Sequence, residues 1–206
     1  MSDSPVIAFL NKMTDLIILN IVYIIFCLPI FTIGAATTAL YYVCIVSIRQ
    51  GDGYVVKRFL ESFKRNFKQA TIIWLPLLAF MIIMGFDLFF WYRMGTGFAK
   101  IMFVLSAIVA FMLFIVSLYL FPVLAKLEGS IVTTIKNAAA FSIGYFQYTV
   151  ILLLFTIGFV YANLVSMGMN AITCFVGFAV LVYMKSFFIY RVMMNHIDEK
   201  IEDFEN

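Results

Sequence analysis

Side chains that could carry chemistry are few and scattered in this chain. It has a single histidine, His196, and three cysteines that stand apart from one another, Cys27, Cys44 and Cys174. One histidine cannot build a multi-histidine metal centre, and isolated cysteines predict neither a disulfide framework nor a zinc site. The sequence also lacks phosphate-binding glycine loops and the nucleophile and zinc-protease motifs. We therefore predict no enzymatic activity, no cofactor and no metal.

Polar side chains inside apolar runs are the remaining candidates, because a polar group within a membrane is a functional hypothesis by default. Asp15, Asn20, Asp87 and Gln147 hold such positions. Asp87 is followed by Trp, Tyr and Arg at 91–93, a combination typical of a membrane interface. The alternative for Asp87 is therefore a hydrated carboxylate at that interface.

The element that must position Asn20 is the stretch 16–48, which begins directly after Asp15. Its 33 residues contain no charged side chain. A bilayer-spanning helix needs about 20 apolar residues, and the hydrocarbon core is about 30 Å thick. As one straight helix this stretch would reach about 50 Å. It must therefore tilt, project or fold back.

A break in this stretch is predicted at three residues. Pro29 lacks a backbone donor, Thr32 is a capping residue, and Gly34 is a flexible residue ahead of a new helix. We predict two shorter helices, at about 14–29 and about 35–49. A hairpin would give six membrane passes with the N-terminus inside. One kinked pass would give five with the N-terminus outside, and the sequence leaves both open.

Composition places the rest of the chain in the membrane as well. Hydrophobic residues make up 65% and charged residues 12%, against about 45–50% and about 25% in soluble domains. We predict one integral membrane domain over 1–206, an all-helical polytopic bundle of five to six transmembrane helices. Further apolar runs cover about 70–92, 101–125, 146–165 and 171–190.

Two less apolar segments, 49–68 and 126–145, are predicted to be amphipathic and interfacial. The first carries the cations of a lipid-facing basic segment: Lys57, Arg58, Lys64, Arg65 and Lys68. With both segments and the tail on the cytoplasmic side, that side holds eleven of the fourteen Lys and Arg residues, Lys185 included. The positive-inside rule then predicts a multi-pass protein of the cell membrane with a cytoplasmic C-terminus. The net charge of +3 gives no support for nucleic acid as a partner.

A weak internal repeat relates the two halves. Residues 66–73 (NFKQATII) and 144–151 (GYFQYTVI) each enter an apolar run with glutamine and threonine at matching positions. Parallel repeats of this kind occur in transporters.

Three blocks carry a family resemblance: CLPIFTIGAATTALYYV at 27–43, FLESFKRNFKQATIIW at 59–74 and FPVLAKLEGSIVTTIKNAAAFSIG at 121–144. The chain resembles the YesL-like family of bacterial integral membrane proteins, a domain family of unknown function. The resemblance implies a place beside importers of oligosaccharides of the ATP-binding-cassette type in Gram-positive bacteria. It supplies no catalytic residues.

That setting draws attention to the segment 138–144. Permeases of such importers dock their ATPase through an E-A-A-x-x-x-G loop, and here Ala139, Ala140 and Gly144 match while Ala138 replaces the glutamate. With Glu128 they form a candidate partner-docking segment.

We expect a non-enzymatic accessory component of an ABC-type carbohydrate importer. Its partners would be membrane lipids and permease or ATPase subunits, or a second copy of itself. The small residues 34–39 would allow helices to approach closely, first within the protein and second with partner helices. The alternative is a self-standing small-solute transporter that uses the broken first membrane helix.

Overall fold

The computed structural model describes residues 5–50, 54–127 and 129–205, which are helical almost throughout and include no β-strand. The predicted all-helical bundle is confirmed. Five helical stretches within the described residues are long and apolar enough to cross a membrane, and a shorter apolar helix covers Ile30–Val46. The helices are α1 (Pro5–Cys27), α2 (Ile33–Gln50), α3 (Val55–Met94), α4 (Gly97–Lys126), α5 (Ile131–Gly144), α6 (Phe146–Val165), α7 (Met167–Ile172) and α8 (Phe178–Glu205).

The predicted break in the uncharged stretch is present between α1 and α2. A short 3₁₀ turn, Ile30–Thr32, follows Pro29. The hydroxyl of Thr32 lies 2.6 Å from the carbonyl oxygens of Phe26 and Pro29 and donates to them. Thr32 therefore satisfies a carbonyl group at the end of α1 and one in the turn, so the capping role predicted for it at the start of α2 is wrong.

The chain turns back sharply at this break. The hydroxyls of Tyr23 and Thr37 share a hydrogen bond of 3.3 Å although 14 positions separate them. In one continuous helix such residues would lie about 21 Å apart along the axis. Of the two predicted arrangements, the contact agrees with the hairpin.

Helix α2 is the centre of the bundle and packs against α1, α3, α4 and α8. Its small residues Ala35, Ala36 and Ala39 are fully buried. Gly34 is helical, and a Cβ atom there would lie 2.6 Å from Trp74 Cβ and 3.0 Å from the Ala70 carbonyl oxygen. Glycine is therefore needed for close packing of α2 on α3 rather than for flexibility.

Helix α3 joins two segments that the sequence analysis separated. It runs through 40 residues with Pro76 inside it, about 60 Å of helix, and includes both the basic segment and the apolar run after it. Phe26 of α1 packs edge-on against Phe59 and Phe63 of the basic segment. The apolar face of that segment therefore contacts protein, and the segment is part of α3 rather than a separate helix. The predicted contact of its cations with lipid stays a prediction.

The outer halves of α3 and α4 form a hairpin of their own. Gly95 makes the turn with φ of 64°, a left-handed conformation that favours glycine at a helix end. Thr96 then caps α4 by accepting a hydrogen bond from the Ala99 amide. Beyond Trp74, most large apolar side chains of this hairpin are exposed. That surface suits contact with lipid tails.

The two stretches of the predicted repeat differ in the structure. Residues 66–73 lie inside α3, whereas 144–151 contain the break at Tyr145 between α5 and α6. Thr149 is hydrogen bonded to Tyr119 and to the Ser142 carbonyl, each at 3.0 Å. The buried hydroxyl of Thr71 has no partner among the described residues.

The last long stretch, Met167–Asn195, is interrupted near its start. Helix α7 is followed by a π-helical turn, Thr173–Gly177, and then by α8. Aromatic pairs join Phe159 to Phe178 and Phe155 to Phe188, so α6 and α8 run antiparallel.

Candidate functional site

Asn20 makes three hydrogen bonds to the backbone of distant residues. Its side chain is fully buried on α1 and faces the π turn. Its amide nitrogen donates to the carbonyl oxygens of Thr173 and Cys174 at 3.2 and 2.8 Å. Its carbonyl oxygen accepts from the Ala179 amide at 3.0 Å. A π turn interrupts the regular backbone hydrogen bonds of an α-helix. The carboxamide of Asn20 binds three backbone groups at this interruption.

A groove lies beside this turn, between α6 and the α7–α8 region. It encloses about 360 Å³ and is lined mainly by apolar side chains. Gly177 is tightly placed in it, because a Cβ atom there would lie 2.9 Å from the Thr173 hydroxyl and 3.3 Å from Phe159. The Thr173 hydroxyl is buried and has no partner among the described residues. Thr173 is the only lining residue with a polar side chain among the described residues of this groove, so the groove offers little polarity to a solute.

The sequence analysis missed the π turn. A threonine and a glycine four residues apart in an apolar run are too common to predict one. The three bonds of Asn20 were the second missed feature, because they join residues more than 150 positions apart.

Asp15 and the early part of α3 line a second cleft. It encloses about 610 Å³, and Lys57, Glu61 and Lys64 also line it. Asp15 therefore faces a mixed set of charges rather than the interior that holds Asn20. The structure does not bring these two candidates into one site.

Asp87 and Gln147 are also separate from Asn20. Asp87 accepts a hydrogen bond of 3.0 Å from the Trp91 indole nitrogen, one turn along the same helix. Gln147 is exposed near the start of α6. The four intramembrane candidates therefore lie in four different surroundings, and no shared polar path among them is present in the described bundle.

The small residues 34–39 are used inside the protein. Gly34 is in close contact with Trp74, and the three alanines of this stretch are buried. They are not available to a partner helix, so the predicted partner contact through this face is wrong. Their role is to bring α2 close to α3 and α4.

The predicted docking segment does present an open surface. Within α5, Ala138 is buried, Ala139 is half-buried, and Ala140 and Gly144 are exposed. A Cβ atom at Gly144 would meet nothing within 4 Å. Glu128 and the side chain of His196 lie outside the described residues.

The cysteines do not come together. Cys44 is buried in α2, Cys27 is half-buried and Cys174 is exposed, and all three are free thiols. No group of three or more metal-binding side chains is found within the described ranges.

Comparison with known proteins gives one match. A family model described as "Protein of unknown function, DUF624" matches residues 16–88, which include Asn20, the α1–α2 turn and most of α3. No curated protein and no solved structure matches the chain. The match is consistent with the YesL-like resemblance over that part of the chain. Together with the long apolar helices, it indicates a multi-pass membrane protein similar to a family of unknown function.

Proposed function

We propose that this protein is a non-enzymatic component of a larger membrane assembly, and that the partner is an importer of oligosaccharides of the ATP-binding-cassette type. The choice of partner rests on the YesL-like resemblance. The observation that carries a docking role is the exposed face of α5.

Helix α5 is amphipathic and is only half covered. Thr134, Ala138 and Phe141 are buried on one side, where α5 packs against α4. On the other side an apolar stripe of Val132, Ile135 and Ile143 is exposed, with Ile143 at 79%. Lys136 lies beside the stripe and is also exposed. Such a stripe suits a partner helix laid along α5.

The stripe continues into the A-A-x-x-x-G match, since Ala139 lies on it and Gly144 ends the helix. Permease loops of this pattern bind an ATPase subunit. A glutamate would normally contact that subunit, and Ala138 has replaced it and is buried. The contact proposed here is therefore mainly apolar.

Co-purification tests the proposal. The tagged protein would be isolated in mild detergent from its native host, and the proteins that accompany it would be identified and quantified. Permease and ATPase subunits in a near-fixed ratio support the proposal. Recovery of the protein alone, or with itself only, overturns it.

A pair of glycine variants makes the test specific. Gly144→Leu adds a bulky side chain at the end of α5, where a Cβ atom has no neighbour within 4 Å. Gly97→Leu makes the same change at the start of α4, where the surroundings are equally open. Loss of the partner with Gly144→Leu alone supports docking through α5. Equal recovery with both variants contradicts it.

The interrupted last helix favours a second candidate, a self-standing small-solute transporter, because transporter sites are built at broken helices. Gly158→Leu tests this candidate, since Gly158 lines the α6–α8 groove and has open space around it. A transporter using this groove would lose uptake with this variant. An accessory protein would keep both its partner and the activity of the importer.

A further inference from the structure

A basic cleft separate from the surfaces above is formed where α2, α3 and the end of α4 meet. It encloses about 640 Å³. Three cations from two helices line it: Arg65 and Lys68 of α3, and Lys126 at the last position of α4. None of the described residues that line it is acidic.

Contacts between helices hold the residues of this cleft in place. The Arg65 guanidinium lies over the Tyr42 ring, 4.9 Å from its centre, which fixes the direction of its donors. Gln69 donates to the Gly129 carbonyl at 3.3 Å and so ties the α4–α5 connection to α3. Helix α5 begins just after this connection, and its N-terminal end adds positive potential nearby.

One wall of the cleft is apolar. Val46, Leu124 and Leu127 line it beside the cations. Cations next to an apolar wall match an amphipathic anion, because the charged group meets Arg and Lys while hydrocarbon covers the wall. A small soluble anion would leave the wall exposed to water.

We propose that this cleft binds the phosphate group of an anionic membrane phospholipid. Arg65 holds the phosphate through its planar fork of donors, Lys68 and Lys126 neutralise the remaining charge, and acyl chains cover the half-buried Val46 and Leu127. This site differs from the predicted lipid-facing basic segment. It includes Lys126 from the second half of the chain and leaves out Lys57 and Lys64.

Lipid titration of the purified, full-length protein tests the proposal and needs no partner protein, so its outcome is independent of the proposed importer contact. The probes are short-chain phosphatidylglycerol, phosphatidylcholine with the same acyl chains, and inorganic phosphate. Native mass spectrometry counts the bound molecules. We expect binding of phosphatidylglycerol in preference to phosphatidylcholine, and no binding of phosphate at matched concentration.

Variants locate the site. Lys68→Gln and Lys126→Gln each remove one exposed cation, and each should weaken phosphatidylglycerol binding by about fivefold. Lys57→Gln and Lys64→Gln are the matched controls, because they lie on the same helix but line the other cleft. They should change binding by less than about twofold.

Three results would overturn the proposal. The two lipids could bind equally, which would exclude recognition of the anionic group. The control variants could weaken binding as much as the cleft variants, which would indicate general surface attraction. Inorganic phosphate could bind with the same dependence on Lys68 and Lys126, which would assign the cleft to a soluble phosphate compound.

Discussion

The side-chain amide of Asn20 donates to the backbone carbonyl of Cys174 across 2.8 Å, although the two residues are 154 positions apart. This bond joins the first membrane helix to the start of the last one. With its two companion bonds it stabilises an irregular turn in an apolar setting, where free backbone groups are costly.

Asn20→Leu should therefore destabilise the protein by about 3 kcal/mol, because it leaves unpaired two carbonyl groups of the π turn and the Ala179 amide at the start of α8. Thermal unfolding in detergent, followed by circular dichroism, measures the change. Asn163→Leu is the matched control, since Asn163 makes a single bond, to the Phe159 carbonyl within its own helix. The control variant should lower the free energy of unfolding by less than about 1 kcal/mol. Equal losses in both variants would contradict the role assigned to Asn20.

Gly34→Ala should destabilise the bundle by about 1–3 kcal/mol, because the added methyl group meets Trp74 Cβ and the Ala70 carbonyl, which cannot move aside easily. Gly85→Ala makes the same change in α3 where nothing lies within 4 Å, and it should be neutral or slightly stabilising. Unfolding midpoints of the two variants are the measurement. A neutral Gly34→Ala would show that α2 and α3 are farther apart than described.

The hairpin at the α1–α2 turn predicts six passes. Combined with the positive-inside rule, it predicts that both chain ends lie on the cytoplasmic side. Single cysteines at Val6, Lys100 and Lys136, in a background without native cysteines, would be treated with a membrane-impermeant maleimide. We expect Lys100→Cys to react in intact cells, since it lies just after the α3–α4 turn. Val6→Cys and Lys136→Cys should react only after permeabilisation. Reaction of Val6→Cys in intact cells would favour the arrangement with five passes.

Asp87→Asn should leave partner recovery unchanged, because the described contact of Asp87 is with Trp91 on its own helix. The Trp91 indole can still donate to the amide oxygen of the new asparagine, so the free energy of unfolding should change by less than about 1 kcal/mol. Co-purified partner and solute uptake are both measured, with Glu61→Gln as an exposed acidic control. Loss of uptake with intact folding would favour the transporter alternative.

Much of the architecture follows from the sequence because charge and length are strong constraints in a bilayer. The uncharged run, Pro29 and the later apolar runs predicted the α1–α2 break and the long helices. The boundary placed inside α3 was wrong, because a change from basic to apolar residues was read as the end of an element. Both basic and apolar residues can form a helix, and α3 continues through Lys68 and Gln69.

The candidate site was less predictable. Asn20 was identified as an unusual polar residue, but its partners are backbone groups whose exposure depends on the π turn. The burial of Gly34 and its neighbours depends on how α2, α3 and α4 pack. Sequence spacing reports which residues share a helical face, and it does not report which other helix covers that face.

The course of α3 links the depth of the protein in the bilayer to the state of its basic cleft. Arg65 and Lys68 are fixed to the same helix as the exposed hairpin that ends at Gly95. Hydrophobic matching sets how far that hairpin is immersed. We expect a thicker bilayer to draw α3 further in and to bring these two cations closer to the headgroups. Lipid binding at the proposed site should therefore depend on bilayer thickness.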